Sequence, residues 1–154
     1  MKVVSIVGVS DAGKTTLVER LVPIFAERGR VGTVKSMHHD FELDEEGKDT
    51  HRHRTAGAAR VVGVTPSLTA TFEPRGRDDY EDADAALDAL LDGFEGFDVV
   101  LVEGFREADT PNVLVGDQRE RALAGDVVAT VSDGTADDVD LVGLRDRVLD
   151  LPDY

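Results

Sequence analysis

Gly8-Val9-Ser10-Asp11-Ala12-Gly13-Lys14-Thr15, continuing into Thr16-Leu17-Val18-Glu19, is the stretch from which the rest of this chain is read. It fits the phosphate-loop pattern G-x-x-x-x-G-K-[ST], in which successive backbone N–H groups cradle phosphate oxygens. The flanks agree with it. Val3-Val4-Ser5-Ile6-Val7 is a short β-branched run, as expected of a strand buried on both faces. Residues 14–28 then place Leu17, Leu21, Ile24 and Phe25 at helical spacing. Strand, glycine loop and helix come in the order that points a helix N-terminus at an anion.

Each position in the loop has its own work. Gly8 and Gly13 allow tight turns and close approach, and the amides of Ser10 through Thr16 form a concave anion site strengthened by the helix dipole. Lys14 would reach the β- and γ-phosphates, and the Thr15 hydroxyl would complete the shell of a magnesium ion. Asp11 stands against this chemistry, because a carboxylate within an anion loop repels phosphate. Its side chain is expected to turn away from the ligand.

Composition narrows the class. The 154 residues suit one domain with a full-sized core, and a hydrophobic fraction of 41% argues against disorder. No apolar run approaches the length of a bilayer span. A first strand beginning at Lys2 predicts no cleavable leader and hence a cytoplasmic protein. Without cysteine there are no disulfides, thiolate metal sites or thiol nucleophiles. The 32 acidic residues against 17 basic ones give a net charge of −15, which disfavours binding to nucleic acid or to a membrane surface.

Along the chain, strands are expected at 31–35, 60–64, 67–72, 98–104, 112–115 and 127–131, with helices at 50–59, 83–94 and 141–151. Asp49 is expected to cap the 50–59 helix, and Ala83, Leu87, Leu90, Leu91 and Phe94 to form the inward stripe of the next. The alternation predicts an α/β protein with the three-layer fold of phosphate-loop NTPases: a mainly parallel sheet between helices, residues 1–154 as a single nucleotide-binding domain, and a β-ribbon insertion at 60–73.

Three further features carry chemistry. Glu103 ends a run of four apolar residues, at the strand edge where such folds hold an acidic group for magnesium. Lys14 and Glu103 are therefore the candidate catalytic pair, with Thr15 and Glu103 the candidate magnesium ligands. Asp98, at the start of that strand, lies too far back to share the site at about 3.3 Å per residue. All four histidines, His38, His39, His51 and His53, fall between residues 38 and 53. Adjacent His38 and His39 diverge on any regular backbone, and on a helix His51 and His53 lie about 200° apart, so a chelating cluster is disfavoured. Lys35, His38, His39, Lys48, Arg52, His53 and Arg54 make a basic region that suits an anionic ligand or the nucleotide's own phosphates, while the helix within it also reads as a solvated face with Arg–Asp pairs. Finally, Asp133 in Thr130-Val131-Ser132-Asp133-Gly134 ends a late strand, where a carboxylate accepts from a guanine ring N–H and amino group; the same Asp-Gly pair also reads as a turn.

Four blocks together resemble the MobB family, the molybdopterin-guanine dinucleotide biosynthesis protein B. They are the phosphate loop, His38 to Asp44 (HHDFELD), Gly47 to Ala58 (GKDTHRHRTAGA) and Asp98 to Arg106 (DVVLVEGFR). The third is the most specific, because ordinary phosphate-loop proteins lack it. The resemblance implies a GTP-binding homodimer with slow, magnesium-dependent GTP hydrolysis. Such a protein acts beside a MobA-type guanylyltransferase that joins GMP to molybdopterin. Gly13, Lys14, Thr15 and Thr16 would bind phosphate. His38, His39, Asp40, Lys48, Asp49 and Arg52 would form a surface for the molybdenum cofactor or the partner. The sequence departs from many members at Asp11, Ala12 and Thr50. Slow hydrolysis agrees with the lack of an arginine finger or water-positioning Gln inside the loop, Arg106 being the nearest cis candidate. Two other readings stay open: a nickel or zinc metallochaperone GTPase, and a phosphate-loop small-molecule kinase with Arg75-Gly76-Arg77 as a lid.

The acidic, lysine-poor composition resembles that of proteins from salt-loving organisms. Raising salt from about 0.1 M to 1 M shortens the screening length from about 10 Å to 3 Å, so the melting temperature is expected to rise across that range. A melting temperature unchanged or higher at low salt contradicts this.

Overall fold

A computed structural model describes residues 1–116 and 122–154. The chain divides into two compact units, one of residues 1–37 and 82–154 and the other of residues 38–81.

The first unit is built on strands β1 (Lys2–Gly8), β2 (Val31–Lys35), β5 (Val99–Glu103), β6 (Asn112–Val115) and β7 (Val127–Val131), with helices α1 (Lys14–Ala26), α3 (Ala83–Leu91) and α4 (Leu141–Leu149). The strands lie in the order β2-β5-β1-β6-β7 and every pairing is parallel. Parallel pairing explains why β1 and β5 read as unbroken apolar runs, since both faces of such a sheet are covered.

Register assigns the faces. Val4 and Ile6 of β1 lie level with Leu101 and Glu103 of β5, and Leu101 and Glu103 lie level with Thr33 and Lys35 of β2. With a side-chain period of two, these residues share one face. Helices α1 and α4 cover it, packing Leu17, Val18, Leu21, Phe25, Leu144 and Val148 against Val4, Ile6, Val99 and Leu101. Val3, Val100 and Gly32 occupy the opposite face. There the ring of Phe94 sits where a Gly32 Cβ would stand, and Phe94 belongs to the 3-10 turn Asp92–Phe94 that continues α3. The α3 layer therefore covers the second face, giving the three expected layers.

A buried polar set stands at the start of β6. Ser5 and Thr110 hydroxyls lie 2.6 Å apart, and the Asn112 side chain donates to the carbonyls of Thr110 and Gly125 at 2.8 and 3.0 Å. These bonds fix the beginning of a strand whose far end adjoins the phosphate loop.

The second unit holds α2 (Asp49–Thr55) and the antiparallel ribbon β3 (Val61–Val64) and β4 (Thr69–Phe72), with Val61 opposite Phe72 and Val64 opposite Thr69. The expected ribbon is present. Val62, Val64 and Leu68 are exposed on it, Val64 at 72%.

Several local expectations are corrected. Helix α2 covers 49–55 rather than 50–59, because Gly57, at φ 106°, is left-handed and ends it. Lys48 rather than Asp49 is its N-cap; Asp49 is the first helical residue, 3.6 Å from Arg52. In α1 the buried residues are Leu17, Val18, Leu21 and Phe25, with Ile24 only partly buried. Pro23 lies within α1, exposed on its outer side. Leu90, expected inward, is 42% exposed. The switch to a three-residue period after Leu91 aligns Phe94 with Leu91 and leaves Leu90 off the stripe.

Leu87, fully buried in α3, tests the second covered face. Leu87→Ala is expected to cost about 2–5 kcal/mol, read as a lower urea midpoint. A midpoint matching wild type contradicts the three-layer packing.

Candidate functional site

The phosphate loop leaves β1 at Gly8 and enters α1 at Lys14. Two of its residues are left-handed: Gly13 at φ 83° and Asp11 at φ 62°. Gly13 meets no penalty there, and Asp is among the few other residues that accept the conformation. This supplies a backbone reason for Asp11, the residue that phosphate chemistry alone left unexplained. Its exposed carboxylate acts on Lys14 as a charge.

The loop is locked from outside. Gly134 donates its N–H to the Ala12 carbonyl at 3.1 Å. The backbone of Gly134 and Thr135 lies where a Gly13 Cβ would stand, and a Gly134 Cβ would fall 2.2 Å from the Gly13 carbonyl. Arg20 of α1 ties this second loop down by donating to the carbonyls of Gly134 and Ala136 at 3.0 and 2.8 Å. The stretch expected beside a nucleotide base thus packs directly on the phosphate loop. Asp133 itself accepts from the Thr135 N–H at 2.8 Å and the Thr135 hydroxyl at 2.7 Å. The backbone bond, then the hydroxyl bond, holds its carboxyl below the ordinary Asp value.

Glu103 lies only 7% exposed under the N-terminus of α1. The Thr15 hydroxyl donates to its Oε1 at 2.8 Å, bringing together the two oxygen donors that the sequence assigned to magnesium. Lys35, level with Glu103 in the next strand, pairs with the same Oε1 and stands 3.4 Å from the Thr15 hydroxyl. Lys14 donates to the Val9 carbonyl at 2.5 Å across the loop. Burial holds its ammonium below the ordinary Lys value, Glu103 opposes that, and the like charge of Lys35 adds to it. Hydroxyl and carboxylate are hard oxygen ligands of the kind a magnesium ion takes beside nucleotide phosphates. They fit that ion by chemistry, and Lys35 already places a positive charge beside them.

Ser10 and Asp11 are exposed, while Ala12, Gly13, Lys14 and Thr16 are partly covered. Arg106 donates to the Ala122 carbonyl at 3.0 Å, which commits the candidate arginine finger to a backbone contact. Lys35, Arg20 and Gly134 are the site residues that the sequence reading did not assign to the loop. Lys35 left a signal as a member of the basic region and Gly134 as half of an Asp-Gly turn, and Arg20 left none.

In the second unit the basic stretch is largely spent on its own acids. Arg54 donates to both oxygens of Glu42 at 2.6 Å, and His51 lies 3.4 Å from that carboxylate. Glu42 also accepts the Asp44 N–H, and that bond, then Arg54, holds it below the ordinary Glu value. Lys48 faces Glu45 at 3.4 Å and Arg52 faces Asp49. His38, His39 and Asp40 are exposed. Among the described residues no group of three or more His, Cys, Asp or Glu is placed to hold a metal ion.

The all-parallel sheet with this loop between its central strand and first helix defines a P-loop NTPase fold. The chain belongs to the MobB family, Molybdopterin guanine dinucleotide synthesis protein B, whose family model matches residues 3–133. It is similar to the molybdopterin-guanine dinucleotide biosynthesis adapter protein of Escherichia coli (strain K12), 32% identical over 155 residues that cover 92% of this chain and 87% of that one. Among solved structures it is similar to molybdopterin-guanine biosynthesis protein B, with a TM-score of 0.70, 29% identity and 96% of each chain covered. It is also similar to a MobB homolog from Bacillus stearothermophilus, with a TM-score of 0.59, 26% identity and 96% and 98% coverage.

The lock on the loop is open to test. Gly134→Ala drives a methyl into the Gly13 carbonyl, backbone against backbone. It is expected to cost about 1–3 kcal/mol in stability. A variant as stable as wild type by urea unfolding contradicts the contact.

Proposed function

We propose that this chain binds GTP with magnesium in the phosphate loop and serves as an accessory to the attachment of GMP to molybdopterin. The observation that carries the reading is the Thr15 hydroxyl bonded to the buried Glu103 carboxylate at the mouth of a loop with left-handed Gly13. A hydroxyl and a carboxylate brought together beside a phosphate cradle favour a metal–nucleotide complex over a bare anion.

The residues divide the work. Backbone amides from Ser10 to Thr16 hold the phosphates, Lys14 neutralises them, and Thr15 and Glu103 hold magnesium, which screens charge between the β- and γ-phosphates when bound. Asp133, already oriented by Thr135, accepts from the guanine edge. Hydrolysis is slow, because the arginine nearest to Glu103 along the chain is engaged with Ala122. A MobA-type guanylyltransferase and molybdopterin are the proposed partners, with His38, His39, Asp40, Lys48, Asp49 and Arg52 as the contacting surface. The exposed Val62, Val64 and Leu68 of the ribbon support a homodimer, since an isolated two-stranded ribbon is marginal in water. A cytoplasmic location belongs to the same proposal; among the described residues no helix is long and apolar enough to cross a membrane.

Calorimetry with GTP and ATP tests the reading, repeated with molybdopterin and guanylyltransferase present. Lys14→Ala is expected to weaken GTP binding by roughly 10- to 100-fold, the loss of one charge-assisted bond. Undiminished GTP affinity in that variant sinks the site, and equal affinity for ATP removes the assignment to guanine.

A further inference from the structure

Lys35 is the last residue of β2, and the register of β2 with β5 puts it beside Glu103. Its ammonium pairs with Glu103 Oε1, the same oxygen to which the Thr15 hydroxyl donates at 2.8 Å, and lies 3.4 Å from that hydroxyl. One carboxylate oxygen thus gathers an ammonium and a hydroxyl, and that oxygen and the hydroxyl are the groups through which the proposed site would hold a divalent cation. Two cations cannot share that oxygen without strong repulsion at so short a range. Burial decides which partner moves. The Glu103 side chain is 9% exposed and fixed under α1, whereas that of Lys35 is 50% exposed at a strand end. Lys35 can swing away on a flexible stem without unpacking the core.

We propose that Lys35 is an exchangeable counter-ion of the phosphate site. With no ligand bound, its ammonium neutralises Glu103 and keeps the Thr15 hydroxyl aligned. When nucleoside triphosphate and a divalent cation enter, Lys35 gives up the Glu103–Thr15 pair and turns its ammonium to the terminal phosphate oxygens. It then works beside Lys14 as a second phosphate-neutralising group. This rests on the nucleotide-binding reading above and adds the residue that couples metal to nucleotide.

Its signature is the magnesium dependence of affinity. Without magnesium, Lys35 supplies positive charge to the phosphates. With magnesium, the loss of that contact in a variant is partly offset by the removal of a competitor for Glu103. Titration of GTP in excess EDTA and in magnesium, on wild type, Lys35→Met and Lys35→Arg, reads this directly. The ratio of the two dissociation constants is expected to rise about tenfold in Lys35→Met and to stay near wild type in Lys35→Arg. A ratio unchanged in Lys35→Met, whether affinity falls equally in both conditions or in neither, overturns the proposal. Melting curves of each variant show that it is folded. Failure of wild type to bind GTP or ATP in either condition identifies failure of the underlying reading instead.

Discussion

The level register of β2, β5 and β1 is the constraint on which the site depends. Parallel strands whose residues pair one to one bring Lys35, Glu103 and Ile6 side by side at one end of the sheet. The two-residue period then puts all three on the face that α1 covers. A one-residue slip of β5 would turn Glu103 to the other face and bury it away from Thr15. In the observed register Val99 and Leu101 pack under α1 in line with Glu103. Thus the core fixes the chemistry: residues that never meet a ligand determine where the carboxylate points.

A buried carboxylate at the end of an apolar strand needs compensation, because removing its hydration without a partner is costly. The structure supplies it from two sides, by the Thr15 hydroxyl and the Lys35 ammonium. The anion cradle is compensated differently. Its left-handed Gly13 is braced by the Gly134 backbone, itself held by two bonds from Arg20. Helix α1 therefore contributes twice, pointing its N-terminus into the loop and, one and a half turns later, clamping the segment that supports it. Such bracing before ligand arrives reduces the ordering that binding must accomplish.

The sheet and the loop were legible because their determinants are local. β-Branched runs mark Val3–Val7 and Val99–Val102, and the glycine spacing marks the phosphate cradle. Glu103 was legible as the polar end of one such run. Lys35 was legible only as a member of a basic region, since its partner is set by strand register, which adjacent residues do not encode. The clamp by Arg20 on Gly134 joins residues 114 positions apart and left no local trace. Helix ends were misjudged where backbone conformation outweighed pattern, as with left-handed Gly57 ending α2. The basic stretch was read as a region suited to an anionic ligand, but Glu42 lies just upstream and gathers Arg54 and His51. Counting charges along a segment does not show which are already paired.

The overall charge of −15 sets the terms on which an anionic ligand is admitted. A nucleoside triphosphate of the proposed kind would be repelled by such a surface at long range and attracted only within reach of Lys14, Lys35 and the loop amides. Salt weakens the first effect more than the second, because screening acts over distances beyond the Debye length while bonds inside the cradle are short and partly desolvated. On that reading, salt would lower the long-range barrier to the ligand more than it weakens the contacts inside the cradle. The ammonium held on Glu103 sharpens that balance. On the proposed reading it would offset a negative charge beside the cradle before the nucleotide binds.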